Sequence, residues 1–334
     1  MFALNVDVHL NNPHPSGDNH KKIISGRWPG LDDFTFSDKQ IEGILGALNF
    51  EKSSCPHCGS RNFVKHGRTS LGRQRYRCRE CRKTFSETTG TPFMYSKKKL
   101  KTWARYLLCM GGRLTLRSIS KLLGMNLSTA FSWRHKILSV AETKTDTVLT
   151  ETIEVNEFWL KENFKGCRKI NPHFRDAENR YLILMLSCRD SQGNILIKTA
   201  ARKGLRKLDY TEISDILSPV IDRCKTLVTT SNLFYISFAK KNKLRLCMPY
   251  SASYRLEGFS LKNAEIQARG FKGFLKSFRS VASKYLSHYM NWYRIMLNRS
   301  GSLPAEIMDM LSCGRRQLRV HELRKMQFDG TLRH

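Results

Sequence analysis

The spacing of apolar positions changes several times along this chain, and each change marks an element. Ile41, Ile44, Leu45 and Leu48 recur at helical spacing behind Ser37. Ser37 and Gln40 have the separation of a capping box, so a short helix is expected within 35–52. Between 53 and 90 the apolar runs are short and are broken by Gly59, Gly67 and Gly72, which reads as a small hairpin unit. Leu100, Trp103, Leu107 and Leu108 then restore the helical period from Lys97 to Met110, and Gly111-Gly112 ends it. Two short helices follow around Gly124, the second starting at Ser128 and running to Leu138. Ile119, Leu122, Leu123, Leu127, Phe131 and Ile137 are the expected core of this 96–141 segment, with Trp133 fitting either face.

From about 148 the period shortens. Leu149 to Leu160 alternates, with Ile153, Val155 and Phe158 among polar residues, and is expected to be a strand. Tyr181–Cys188 and Asn194–Ala200 read as strongly apolar strands joined by an Asp190-Ser-Gln-Gly193 turn. An amphipathic helix is expected over 209–221, a strand at Leu227–Thr230, a helix at Leu233–Lys241 and a strand at Leu244–Pro249. Two helices, over 263–278 and 281–298, close the domain. Residues 1–34 are rich in Asn, Pro, Gly and His without periodicity and are expected to be mobile, and 299–334 reads as a basic tail.

Charge narrows the class. Lys and Arg total 58 against 28 Asp and Glu, a net charge of +30 over 334 residues. Such an excess seeks a polyanion, and double-stranded DNA is the expected partner. An anionic membrane competes for that role, but no run of about 18 apolar residues and no lipidation motif is present. The N-terminus lacks the basic-then-apolar order of a signal peptide, so the expected location is the cytoplasm, on the nucleoid.

Four of the ten cysteines form two C-x-x-C pairs, Cys55-Pro-His-Cys58 and Cys78-Arg-Glu-Cys81, with 19 residues between them. Two tight turns joined by a hairpin supply the four soft ligands that tetrahedral zinc takes, so a structural zinc ribbon is expected. Redox pairs or disulfides are the alternatives, and His57 sits where the backbone favours the cysteines as ligands. Cys109, Cys167, Cys188, Cys224, Cys247 and Cys313 are scattered, as free thiols of a reducing compartment are. The middle of the ribbon carries Lys65, His66, Arg68, Arg73, Arg75 and Arg77, a candidate phosphate-contacting hairpin rather than a merely solvated one. The helices around Gly124 have the helix-turn-helix order, whose second helix enters the major groove; an ordinary helical hairpin is the alternative. Arg117 and the polar face Ser128, Thr129, Ser132, Arg134, His135 and Lys136 are the candidate DNA contacts.

The order from 148 onward, three strands, helix, strand, helix, strand and helix, resembles an RNase H-like domain. That is an α/β fold with a mixed five-stranded sheet and helices on both faces, preceded here by the zinc ribbon and the helix-turn-helix. Together with Tyr76-Arg-Cys-Arg-Glu-Cys-Arg-Lys-Thr-Phe85-Ser, Glu154-Val-Asn-Glu157-Phe, Lys165-Gly166, Arg189-Asp190 with Gly193, Asn232-Leu-Phe-Tyr235 and Lys284-Tyr285-Leu286 with Tyr289 and Trp292, the chain from about 50 to 298 resembles the DDE-type transposases of bacterial insertion sequences, in the ISXO-like subgroup with an N-terminal zinc ribbon. The resemblance implies DNA cleavage and strand transfer through two Mg²⁺ ions about 4 Å apart, and an oligomer acting on paired ends. The positions matching the family's three metal-binding residues are Asn156, Thr230 and Glu265. Only Glu265 is acidic, and Mg²⁺ needs carboxylate oxygens. Glu154 lies about 6.6 Å along the strand from Asn156, Glu157 falls on the opposite face, and no Asp or Glu occurs from Arg223 through Leu256. Structural alternatives are a Glu265–Arg269 surface pair, a core amide at Asn156 and a strand-end hydroxyl at Thr230. The expectation is a DNA-binding protein with impaired catalysis and Mg²⁺ only where catalysis survives. An active transposase with an altered site and a zinc-ribbon, helix-turn-helix transcription regulator are the alternatives.

Overall fold

The computed structural model of the chain describes residues 35–47, 53–142, 148–163, 165, 182–203, 208–230, 232–251, 254–279, 281–297 and 322–323. The segments expected to be mobile or basic, 1–34 and most of 299–334, lie outside the described residues. The described chain divides into two compact units, one spanning 35–142 with Glu322 and Leu323, the other 148–297.

The first unit opens with helix α1 (Asp38–Ala47). Its N-terminus carries the expected capping box, with Gln40 N–H donating to Ser37 Oγ at 3.1 Å and Ser37 N–H to Gln40 Oε1 at 3.3 Å. Ile41 and Ile44 are buried, as the helical spacing required. Strands β1 (Phe63–Arg68), β2 (Gln74–Cys78) and β3 (Thr84–Ser86) form an antiparallel three-stranded sheet. Helices α2 (Leu100–Gly111), α3 (Leu116–Leu122) and α4 (Leu127–Glu142) complete the unit. Trp133 resolves to the inner face, stacked on Trp103 with ring centroids 3.5 Å apart. The turn between α3 and α4 uses Gly124 at φ +56°, a conformation glycine adopts without penalty. Helix α4 starts one residue before Ser128 and is capped by Asn126, whose Oδ1 accepts from Ser128 N–H at 2.9 Å.

The second unit is a five-stranded mixed sheet with helices. Its strands are β4 (Leu149–Lys161), β5 (Leu182–Asp190), β6 (Ile195–Lys203), β7 (Ile221–Thr229) and β8 (Arg245–Cys247), in spatial order β6-β5-β4-β7-β8. β6, β5 and β4 pair antiparallel, while β4, β7 and β8 run parallel. Parallel neighbours need crossovers, and α5 (Tyr210–Leu217) and α6 (Leu233–Lys241) supply them. Ile213, Leu217, Tyr235 and Phe238 from these helices pack with Ile153, Val155, Leu186 and Leu227 of the sheet. Helix α7 (Lys262–Ser277) contacts β4 and β5, and α8 (Leu286–Leu297) contacts β6.

Several boundaries differ from expectation. The helix expected over 209–221 ends at Leu217, and β7 begins at Ile221 instead of Leu227. The cause is bulging: register shifts interrupt the β4–β7 pairing, with Glu151 at φ +57° and Arg223 at φ +49°. Bulges destroy the two-residue alternation by which a strand is recognised. The helix expected over 281–298 starts instead as a 3₁₀ turn at Ser283–Tyr285 before α8.

Contact between α7 and α8 depends on one missing side chain. A Cβ at Gly270 would collide with the Tyr293 hydroxyl, while the ring carbon behind it stands at an ordinary 3.5 Å. Gly270→Ala is therefore expected to destabilise the protein by about 1–3 kcal/mol through overpacking, despite alanine's higher helix propensity. In a Tyr293→Phe background, which removes the obstructing oxygen, the same substitution is expected to be neutral or stabilising. Urea melts of the four variants measure the coupling, and additive effects would overturn this packing account.

Candidate functional site

Three places carry chemistry, and the sequence builds each locally. The first is the cysteine centre. Cys55 Sγ lies 3.7 Å from Cys81 Sγ, and Cys58 Sγ lies 3.6 Å from Cys78 Sγ. All four sulfurs fall within 4.8 Å of one another. A tetrahedron with metal–sulfur bonds of about 2.3 Å has edges of about 3.8 Å, whereas a disulfide needs about 2.05 Å. The residues present fit a four-thiolate metal ion such as zinc. The two turns repeat one geometry: Cys55 N–H donates to Ser60 O at 2.7 Å, and Cys78 N–H to Lys83 O at 3.1 Å. The residue after each second cysteine has positive φ, Gly59 at +79° and Arg82 at +57°. Behind the sulfurs, Phe63, Tyr76 and Phe85 pack edge-to-face and stacked with centroids 5.3–5.5 Å apart. Away from this quartet, burial pushes Cys109 and Cys188 up to about 12 and Cys224 up to about 11. Cys167 and Cys313 lie outside the described residues.

The second place is basic. Arg68 is exposed on the hairpin and donates to Gly72 O at 2.8 Å, while Arg75 is half-buried. Arg73 is half-buried and reaches Lys98 O at 3.2 Å and Thr88 Oγ1 at 3.4 Å, and burial lowers its pKa. On the helices, Arg117 and Ser128 are exposed, and Thr129, Ser132 and Lys136 are partly so. Arg134 and His135 do not belong to that face. Both are buried, Arg134 donating to Leu114 O at 2.6 Å and His135 lying 4.5 Å from the Phe131 ring. Ala130, Trp133, Arg134 and Ile137 form the inward i, i+3, i+4, i+7 set, with Arg134 burying its stem and satisfying a carbonyl.

The third place is a cleft of about 530 Å³ in the second unit. β4 continues to Lys161, but its last registered pair with β7 is Val155–Thr229, and β8 stops at Cys247. The cleft opens beyond these ends, at the carboxyl edge of the parallel strands. Asn156, Glu157 and Thr230 line it from the sheet, and Glu265, Arg269 and Lys272 from α7. The three positions Asn156, Thr230 and Glu265 are thus brought together. Glu157, which strand parity puts on the opposite face, also borders the cleft, because β4 there has outrun its neighbour. Glu265 pairs with Arg269 at 3.9 Å, as the surface-pair alternative anticipated.

Glu154 has a role the sequence reading missed. Its carboxylate accepts from Asn263 Nδ2 at 2.7 Å and from Ala264 N–H at 3.0 Å, so it closes the N-terminus of α7, where the helix dipole favours an anion. Glu157 Oε1 accepts from Asn232 Nδ2 at 3.4 Å. Burial, with Glu157 adding to it, raises the Tyr235 phenol well above its ordinary value, so Tyr235 stays neutral. Among the described residues the cysteine quartet is the one cluster of three or more His, Cys, Asp or Glu positioned for a metal.

Over 139 residues the chain is 24% identical to an uncharacterized protein in transposable element ISH50 of Halobacterium salinarum. The match covers 41% of this chain and 46% of that protein, so it spans less than half of the relative's length. No protein-family model matches the chain. No solved structure matches it. Among the described residues no helix is long and apolar enough to cross a membrane.

Proposed function

We propose that this is a transposase-like DNA-binding protein of insertion-sequence origin whose catalytic site is impaired. The observation that carries the reading is the cleft. Asn156, Thr230 and Glu265 line one cleft at the carboxyl edge of parallel strands in a sheet of order β6-β5-β4-β7-β8, an order that supports an RNase H-like reading, yet two of the three are neutral. The similarity to a protein of a transposable element supports the same origin. In this reading zinc at Cys55, Cys58, Cys78 and Cys81 holds the ribbon. Arg68, Arg75 and the helix-turn-helix face of Arg117, Ser128, Thr129, Ser132 and Lys136 meet duplex DNA, and the chain assembles on paired ends as an oligomer. Bidentate Mg²⁺ clamping requires carboxylates that positions 156 and 230 do not offer.

The test is a nicking assay beside a gel shift, using labelled duplexes from the DNA flanking the gene, with Mg²⁺ or Mn²⁺. A shift without nicking is expected. Affinity should fall with salt at a log–log slope of about −0.9 per neutralised phosphate. A shallow slope would remove the basic faces from the account. Glu157 supports a second reading, an active enzyme using Glu157 and Glu265 on one ion; specific nicking lost in both Glu157→Gln and Glu265→Gln would establish it and overturn the first.

A further inference from the structure

We propose that the cleft binds single-stranded DNA without a divalent metal, with Tyr250 as a stacking platform and Arg269 and Lys272 as phosphate contacts. The inference rests on the DNA-binding reading above and adds a substrate form and a recognition chemistry to it.

Charge is the first ground. The cleft holds two carboxylates, Glu157 and Glu265, and two cations, Arg269 and Lys272, so it has no net negative charge to draw in a divalent ion. Its carboxylates are engaged, Glu265 by Arg269 at 3.9 Å and Glu157 by Asn232 at 3.4 Å. Glu154 is held on α7. Arg269 and Lys272 follow Glu265 by four and seven residues, one helical stripe facing the cleft. The Arg269 side chain is 63% exposed, so a phosphate can reach its guanidinium. Lys272 is steadied with its ammonium 5.3 Å above the Phe158 ring.

The aromatic lip is the second ground. Tyr250 borders the cleft and is 81% exposed, and its ring centroid lies 4.2 Å from that of Tyr254 at an interplanar angle of 38°. An aromatic ring beside cations, with its outer face open, is the arrangement that stacks an unpaired base while the cations track the backbone. Bases in a duplex are already stacked on each other, so the platform selects single strands. Asn156, Thr230 and Ser251 add neutral hydrogen-bonding side chains on the same walls.

The experiment uses the full chain with a single-stranded 12-mer carrying 5-iododeoxyuridine, in EDTA, with excess unlabelled blunt duplex occupying the other basic surfaces. Irradiation followed by peptide mass spectrometry is expected to place the crosslink on Tyr250, unchanged by Mg²⁺. Tyr250→Ala should weaken single-strand capture about tenfold or more, while Tyr250→Phe retains it and neither shifts the melting temperature. Arg269→Gln with Lys272→Gln should flatten the salt dependence of that capture. Absence of a Tyr250 crosslink in EDTA, or equal capture by the alanine variant, would overturn the proposal while a persisting duplex gel shift left the DNA-binding reading standing. Single-strand capture without any duplex shift would do the reverse.

Discussion

Stripping metal from the cysteine centre is expected to unfold the ribbon and leave the five-stranded sheet standing. The ribbon's buried core consists of Cys55, Cys78 and Phe85, with Phe63, Tyr76 and Cys81 packed beside it. Two of its three fully buried residues thus belong to the cysteine quartet, and the apolar area left without them cannot offset the chain entropy of ordering 53–90. Structural zinc in peptides of this size binds with an apparent 10–16 kcal/mol at neutral pH, and that binding energy is the folding energy. Chelation should therefore abolish hydrogen-exchange protection in β1 and β2, and Cys55→Ser should do the same without chelator. Thiol titration gives an independent count: four additional thiols become reactive per chain on chelation, while Cys109 and Cys188 stay slow because burial holds them protonated. Acidification should release the metal in the same way, since the ligands must be thiolates. Protection of β1 and β2 that survives metal removal would sink this account. On the proposed DNA-binding reading, the contribution of Arg68 and Arg75 to duplex binding should disappear with the ribbon, because β1 and β2 position both.

The ribbon also shows why some features were legible in the sequence and others were not. Cysteine spacing is a covalent constraint that survives any packing, so Cys55, Cys58, Cys78 and Cys81 were readable, as was the Ser37–Gln40 cap, whose partners are three residues apart. Helix α6 matched its expected range, Leu233 to Lys241, because Asn232 caps it and Asn242 ends it within the same local window. Strand β7 was readable only where it is buried, over its last residues, since its first half is exposed and bulged. The buried places of Arg134 and His135 could not be seen from polarity alone, because a carbonyl 20 residues away, Leu114 O, makes burial of the guanidinium tolerable. Glu154 raises the same difficulty. Its partners Asn263 and Ala264 are about 110 residues distant, and no local pattern announces a carboxylate that closes another element's helix. The convergence of Asn156, Thr230 and Glu265 was expected only from the resemblance, since no spacing rule joins residues so far apart.

The sharpest consequence of that convergence is that a metal site should be recoverable. Asn156→Asp with Thr230→Asp places two new carboxylates beside Glu265 in one cleft. Without metal the double variant is expected to be less stable than the parent, because like charges in one pocket repel. That loss should shrink as pH falls and the new groups protonate, the sign expected of carboxylates whose folded-state pKa is raised. Arg269 offsets part of the repulsion, so Arg269→Gln added to the pair should deepen it. Mn²⁺ should reverse the loss, since an ion that binds only the folded state stabilises by about 2.7 kcal/mol at 100 times its dissociation constant. The parent, with one acidic residue of the three, should show a melting temperature indifferent to Mn²⁺. Metal-dependent nicking by the double variant, and none by the parent, would mean that the fold still presents a scissile phosphate to this cleft and that two side chains separate binding from cleavage. A melting temperature that ignores Mn²⁺ in both proteins would mean the three positions share a cleft without the spacing a metal ion needs, and the catalytic ancestry argued from Asn156, Thr230 and Glu265 would fail with it.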